Sequence, residues 1–229
     1  MGRFSKQESV GIVILAGGRS SRMGTNKALL PIDGKPNIQH IRDVLRGVHV
    51  RHQPGMPPNG AEQDFLPCLI VTNEPDTYQF LGERMVSDKY PGLGPLAGIQ
   101  VGLQAAVAEW NLVVACDMPL VTAEAGQWML QVAIGTEHPD IDAVVPVIEG
   151  QLHPLFAVYH KRCAERIEDM LLNKQLRMVE LLRQLQVKQL TEADFPNYID
   201  VNQVFFNMNT PDEWRQVQQW IMDEGRNGN

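Results

Sequence analysis

The chain has 229 residues, 44% hydrophobic, 21% charged and 7% aromatic, with a net charge of −7, a length and balance that suit one α/β domain with a sizeable core. The acidic balance disfavours general binding to nucleic acid or anionic lipid, and the opening MGRFSKQESVG lacks the apolar heart of a secretion signal. Three scattered cysteines, Cys68, Cys116 and Cys163, make neither a disulfide framework nor a zinc cluster, so the expectation is a soluble, cytoplasmic, enzymatic protein with no nucleic-acid and no membrane partner.

Residues 1–8 read as a flexible polar tail and residues 9–224 as a single domain. Val10–Leu15 (VGIVIL) is a short, β-branched apolar run of the kind found in buried parallel strands. Similar runs recur at Leu69–Thr72, Asn111–Ala115 and Ala143–Val147. Between them lie helical stripes: Ile38, Ile41, Val44 and Leu45; then Ile99, Leu103 and Val107; then Trp128, Met129 and Val132. Strands alternating with helices predict a mostly parallel sheet covered on both faces, a three-layer α/β fold. His49–Pro67, with four prolines and two glycines, reads as a long loop. Helices are expected over Lys161–Leu172 and Met178–Leu185, and an extended segment over Phe205–Asn209. Thr210-Pro211-Asp212-Glu213 then has the form of a capping box, opening a helix that runs to about Met222 and buries Trp214, Val217 and Ile221.

The chemistry concentrates after the first strand, in LAGGRSSRMGTNKALL from Leu15 to Leu30. Gly17 and Gly18 let the backbone approach a ligand and turn its N–H groups toward phosphate oxygens. Arg19, Arg22 and Lys27 add three cations within nine residues of an otherwise acidic chain, a cluster suited to a polyphosphate. Neither GxxxxGK[ST] nor GxGxxG is present, and the plain alternative is a glycine turn followed by a solvated basic loop. Gly92-Leu-Gly94-Pro95-Leu-Ala-Gly98 reads as a turn feeding a helix with Pro95 in its first turn. Asp117 directly follows an apolar run, so it is expected at a strand's carboxyl end, where a hard carboxylate suits Mg²⁺ and a turn aspartate is the alternative. Asn73 and Asp88 also follow apolar runs, and both are common turn residues.

The segment LAGGRSSRMGTNKALL resembles the signature LAGGxSxRMGxxKxLL of the molybdenum-cofactor guanylyltransferase family, the MobA-like proteins. Further matches follow in family order: GPLAGI from Gly94, ACDMPL from Ala115, HPLF from His153 and NMNTP from Asn207. The resemblance spans about Gly11 to Trp214 and implies a Rossmann-like nucleotidyltransferase domain that transfers GMP from GTP to molybdopterin and uses Mg²⁺. It implies nucleotide binding by Leu15, Ala16, Gly17, Gly18, Lys27, Asn73, Asp88 and Asp117, with Asp117 as the metal ligand. Lys27, Arg22 and Asp117 would carry catalysis, and His153, Asn207 and Asn209 would bind molybdopterin. Other cofactor-biosynthesis proteins and molybdoenzyme chaperones are the partners it suggests. Two alternatives stand beside it: a CTP-dependent cytidylyltransferase of the same superfamily, and a non-catalytic nucleotide-binding regulator. LAGG in place of LAAG favours the guanylyl branch, because the smaller residue admits a purine nearer the backbone. Arg22, Lys27 and Asp117 together disfavour the regulator.

Overall fold

A computed structural model describes residues 9–16, 26–49, 65–135 and 140–227. The expectations for the tail at 1–8, for most of the 49–67 loop, and for Gly17, Gly18, Arg19 and Arg22 lie outside the described residues. The first strand, β1 (Val10–Leu15), is buried from Gly11 onward. A 3₁₀ turn at Lys27–Leu29 leads into a small hairpin, β2 (Pro31–Ile32) and β3 (Lys35–Pro36), and then α1 (Asn37–Leu45). There follow β4 (Cys68–Val71), α2 (Pro75–Tyr78), β5 (Arg84–Val86), α3 (Pro95–Ala105), β6 (Trp110–Ala115) and α4 (Ala123–Gly135). The second half runs β7 (Ala143–Ile148), β8 (Gln151–Leu152), β9 (Phe156–His160), α5 (Cys163–Leu172), α6 (Met178–Gln184), β10 (Val187–Leu190), α7 (Val201–Val204) and α8 (Pro211–Asn227).

The strands order as β10-β7-β9-β6-β1-β4-β5, with β8 paired to β7. β1 is parallel to both β4 and β6, and β4 is parallel to β5. The exceptions are β8, antiparallel to β7, and β9, which is antiparallel to β6 on one side and β7 on the other. It is reached from β7 through a hairpin whose Glu149 and Gly150 both have positive φ. Alternation along the central strands sends Ile12, Ile14, Leu112 and Val114 into one apolar layer with Ile38, Ile41, Leu45 and Met129. Val13, Leu15, Val113 and Ala115 enter the other, with Ile99, Leu103, Ile167 and Leu171. This is the three-layer α/β arrangement the apolar runs imply, since a strand buried on both faces has no polar side to show.

Two expectations need correction. Val107 lies beyond the end of α3 and is 68% exposed, so the stripe of that helix ends at Leu103. Phe205–Asn209 is not a strand: Phe205 caps the short helix α7, and residues 206–209 have no regular structure. The aromatic and apolar residues there are instead drawn into the core, with Phe205 against Phe156 and Phe195. The capping box does form. Glu213 N–H donates to Thr210 Oγ1 at 3.2 Å, and Thr210 N–H donates to Glu213 Oε2 at 2.7 Å. From it α8 runs to Asn227, past the expected end, and lays Val217 with Trp214 and Trp220 against Ile32 and Leu120.

Helix α3 lies close on the sheet at Gly102, where an added Cβ would stand 2.6 Å from Val13 Cγ1 and 3.1 Å from Val71 Cγ2. Both neighbours are β-branched and fixed in the sheet, so neither can swing aside. Gly102→Ala should therefore destabilise the fold by about 1–3 kcal/mol, despite the better helix propensity of alanine. Urea unfolding checks this, and an unchanged or raised midpoint would contradict it.

Candidate functional site

Four parallel strands end at one level. Leu15 pairs with both Val71 and Ala115, and Val71 pairs with Val86. The ladder continues one bond further: Ala16 N–H donates to Val71 O (2.9 Å), Thr72 N–H to Val86 O (2.9 Å) and Cys116 N–H to Leu15 O (3.4 Å). Ala16, Asn73, Asp88 and Asp117 thus follow neighbouring strand ends along one carboxyl edge, where parallel sheets collect ligands. Asn73 and Asp88 meet directly, the Asp88 N–H donating to Asn73 Oδ1 at 2.9 Å. Asp88 in turn accepts from Tyr90 N–H at 2.7 Å. Each builds a turn at the rim, where Asn73 is exposed and Asp88 half-buried. Next to them α3 begins after Gly94, whose φ of 82° and ψ of −166° suit glycine, with Pro95 in the first turn.

The second grouping crosses the chain. Lys27 Nζ donates to Asn209 Oδ1 at 2.7 Å, and Met208 N–H donates to Asp117 O at 2.7 Å. Asn209 N–H is itself held by Glu213 Oε2 at 2.6 Å, so the cap of α8 fixes the asparagine that meets the lysine. Lys27 is half-buried, not the exposed loop cation of a solvated turn, because Asn209 closes over it. Asp117 Oδ1 is sealed from solvent and has no hydrogen-bond partner among the described residues. Burial raises the Asp117 carboxyl above its usual pKa, and the Lys27 charge opposes that rise. No cluster of three or more His, Cys, Asp or Glu among the described residues could hold a metal. A single desolvated carboxylate oxygen without a partner nevertheless suits Mg²⁺, which often takes one or two protein ligands and fills the rest from phosphate and water.

His153 and Asn207 lie nearby in the chain trace but play different parts. His153 is 9% exposed, sits between β8 and β9, and packs its ring 5.1 Å from Phe205. Burial lowers its pKa and favours the neutral ring. Phe205 leads directly into Asn207–Asn209, so the histidine buttresses that segment; Asn207 is half-buried there. Cys116 is buried and its thiol is pushed up by burial and by neighbouring Asp117, which leaves it unreactive.

Two residues that the sequence did not single out hold these turns. Tyr78 is 1% exposed; its hydroxyl donates to Ala16 O at 3.3 Å and accepts from Asn26 Nδ2 at 2.8 Å. Asn37, fully buried at the start of α1, donates through Nδ2 to Cys116 O at 2.7 Å and Lys27 O at 3.2 Å. Asn37 looks like an ordinary polar residue at a helix start, and its only distinguishing mark is its place directly before the apolar stripe.

The profile of the MobA-like NTP transferase domain matches residues 12–189. The chain belongs to that family. It is a nucleotidyltransferase by that membership, and the carboxyl-edge site is where an α/β domain of this kind takes its ligand. Among MobA-like relatives, a probable molybdenum cofactor guanylyltransferase of Carboxydothermus hydrogenoformans is 32% identical over 92% of this chain and 95% of its own. One from Pelotomaculum thermopropionicum is 35% identical over 88% of each chain. The solved structure of molybdopterin-guanine dinucleotide biosynthesis protein A from Archaeoglobus fulgidus superposes with a TM-score of 0.73 at 22% identity, covering 93% of this chain and 99% of that one. That last likeness speaks for the fold.

The state of Asp117 has a measurable consequence. A raised carboxyl pKa means that the folded protein holds this proton more tightly than the unfolded chain, so the group's favourable contribution belongs to low pH and is lost as pH rises through the folded value. Asp117→Asn removes the desolvated charge and keeps the shape. With chelator present at neutral pH, the variant should melt no lower than the parent, and the gap should close as the pH is brought down. Melting curves across pH test this; a variant clearly less stable at neutral pH would contradict it.

Proposed function

We propose that this MobA-like protein transfers GMP from GTP to molybdopterin, forming the guanine dinucleotide cofactor and releasing pyrophosphate. The observation that carries the reading is the convergence of Lys27, Asn209 and Asp117 from three distant parts of the chain. The named activity of the 32% and 35% identical relatives supports the choice of substrates.

In this reading the terminal phosphate oxygen of molybdopterin attacks the α-phosphorus of GTP. The new P–O bond forms as the bond to the β-phosphate oxygen breaks, and pyrophosphate departs with that electron pair. The nucleophile belongs to the substrate, so the protein contributes position and charge. Lys27 sits where its ammonium can exchange Asn209 for phosphate oxygens, and the motif assigns Arg22 and the Gly17 and Gly18 amides to the same triphosphate. Asp117 would hold Mg²⁺, whose charge would offset the charge developing on the α-phosphorus and the leaving pyrophosphate. Leu15 and Ala16 would line the nucleotide, and Asn73 and Asp88, at the neighbouring strand ends, would read guanine or ribose. Asn209 and Asn207 would meet the pterin side, with His153 supporting their segment. We further propose a cytoplasmic setting and delivery or acceptor proteins of the molybdenum-cofactor route; no helix among the described residues is long and apolar enough to cross a membrane.

Base choice is tested by melting the protein with Mg²⁺ and each of GTP, CTP, ATP and UTP. GTP should give the largest shift, with about 2.7 kcal/mol of added stability at 100 times its dissociation constant. A larger shift with CTP would move the protein to the cytidylyl branch. Turnover should fall by orders of magnitude in Asp117→Asn, because metal stabilisation of a transition state is worth several kcal/mol and each 1.36 kcal/mol is about tenfold. Near-normal pyrophosphate release with unchanged Mg²⁺ dependence would make Asp117 structural.

A further inference from the structure

We infer that Asn37 is a positioning residue of the transferase site, locking the Lys27 turn to the Asp117 turn at a fixed separation; the inference rests on the function proposed above. Asn37 has no solvent exposure. Its side-chain nitrogen spends both hydrogens on backbone carbonyls: Lys27 O at 3.2 Å and Cys116 O at 2.7 Å. Its own N–H donates to Leu30 O at 2.8 Å, which anchors the same 3₁₀ turn a second time. One acceptor belongs to the residue that carries the ammonium, and the other immediately precedes the carboxylate. The amide cannot be turned over, because a carbonyl oxygen only accepts and Oδ1 would then face two acceptors.

The opposite end of the side chain makes the case for a positional role. Asn37 Oδ1 is buried without a hydrogen-bond partner among the described residues. A residue chosen for packing alone at this place, beside Ile38 and Ile41 in the apolar layer, would carry no such orphan. Among the described residues the amide is kept with one end unsatisfied, and it bridges two turns that no backbone ladder connects there. Lys27 and Asp117 act on one triphosphate, so small changes in their separation weigh heavily: misplacement by about 1 Å can cost a hundredfold in rate. Leucine at this position would keep the branched shape and remove both donors, freeing the turns to drift apart.

The test is a double-mutant cycle read as the dissociation constant of GTP with Mg²⁺ by calorimetry, with CTP run in parallel, on the parent, Asn37→Leu, Lys27→Ala and the double variant. Asn37→Leu should weaken nucleotide binding about tenfold when Lys27 is present and by less than about twofold when Lys27 is already gone, because residues acting as a unit are not additive. Asn37→Thr, which retains one donor, should fall between parent and leucine variant, and it carries the same cycle if the leucine variant does not fold. Equal weakening in both Lys27 backgrounds, or a lowered melting point with unchanged affinity, would show that Asn37 is merely structural and overturn the inference. Unchanged affinity for both nucleotides in Lys27→Ala would overturn the proposed function itself, and with it this role for Asn37.

Discussion

Everything at the site depends on the parallel pairing of β1 with β6, in register from Val10 against Trp110 to Leu15 against Ala115. Both strands are sandwiched between helical layers, so their faces are almost wholly apolar; Asn111, near the start of β6, is buried with its amide donating to Ala108 O. Polar groups open to a ligand gather where the ladder stops, and register makes the two strands stop together. The chain leaving β1 heads for the glycine-rich segment, and the chain leaving β6 delivers Asp117. A slip of one residue would turn Asp117 to the other face and remove it from the Lys27 turn. The outer strands β4 and β5 extend the same edge and bring Asn73 within 2.9 Å of the Asp88 amide.

Completing the edge requires parts from far along the chain. The C-terminal segment supplies Met208, whose N–H seals the Asp117 carbonyl, and Asn209, which meets Lys27. Glu213 holds the Asn209 and Thr210 amides, so the cap that starts α8 also shapes the site. From the other side α1 enters through Asn37. The arrangement carries costs that a purely structural design would avoid: a carboxyl raised by desolvation and two buried oxygens, on Asn37 and Asp117, without partners among the described residues. Such costs gather at functional sites, where a polar group must be desolvated before its ligand arrives.

Much of this architecture was legible in the sequence because burial on both faces leaves a plain trace. VGIVIL could only be a central strand, and Thr210 with Glu213 could only be a helix start. Gly94-Pro95 likewise marked the entry to α3. The antiparallel strand β9 was not read, since FAVYH carries the same apolar pattern whichever way it runs, and direction is set by the Glu149-Gly150 turn. Phe205–Asn209 has the composition of a strand, but its aromatics are spent on Phe156, Phe195 and Trp220 in place of a ladder. The half-burial of Lys27 was not legible, because nothing local reveals that Asn209, far along the chain, folds onto it. Asn37 and Tyr78 were invisible for a related reason: each donates to backbone carbonyls, which leave no mark on the identity of the residues that supply them.

The central claim is that this edge joins one nucleotide to one pterin phosphate. The most direct measurement is mass spectrometry of the products after the full chain is incubated with GTP, Mg²⁺ and molybdopterin, with released pyrophosphate counted alongside. The account predicts one species with the mass of molybdopterin plus GMP, formed in step with pyrophosphate and absent when either substrate is withheld. Pyrophosphate release that ignores molybdopterin, or intact GTP after prolonged incubation of the folded protein, would contradict it.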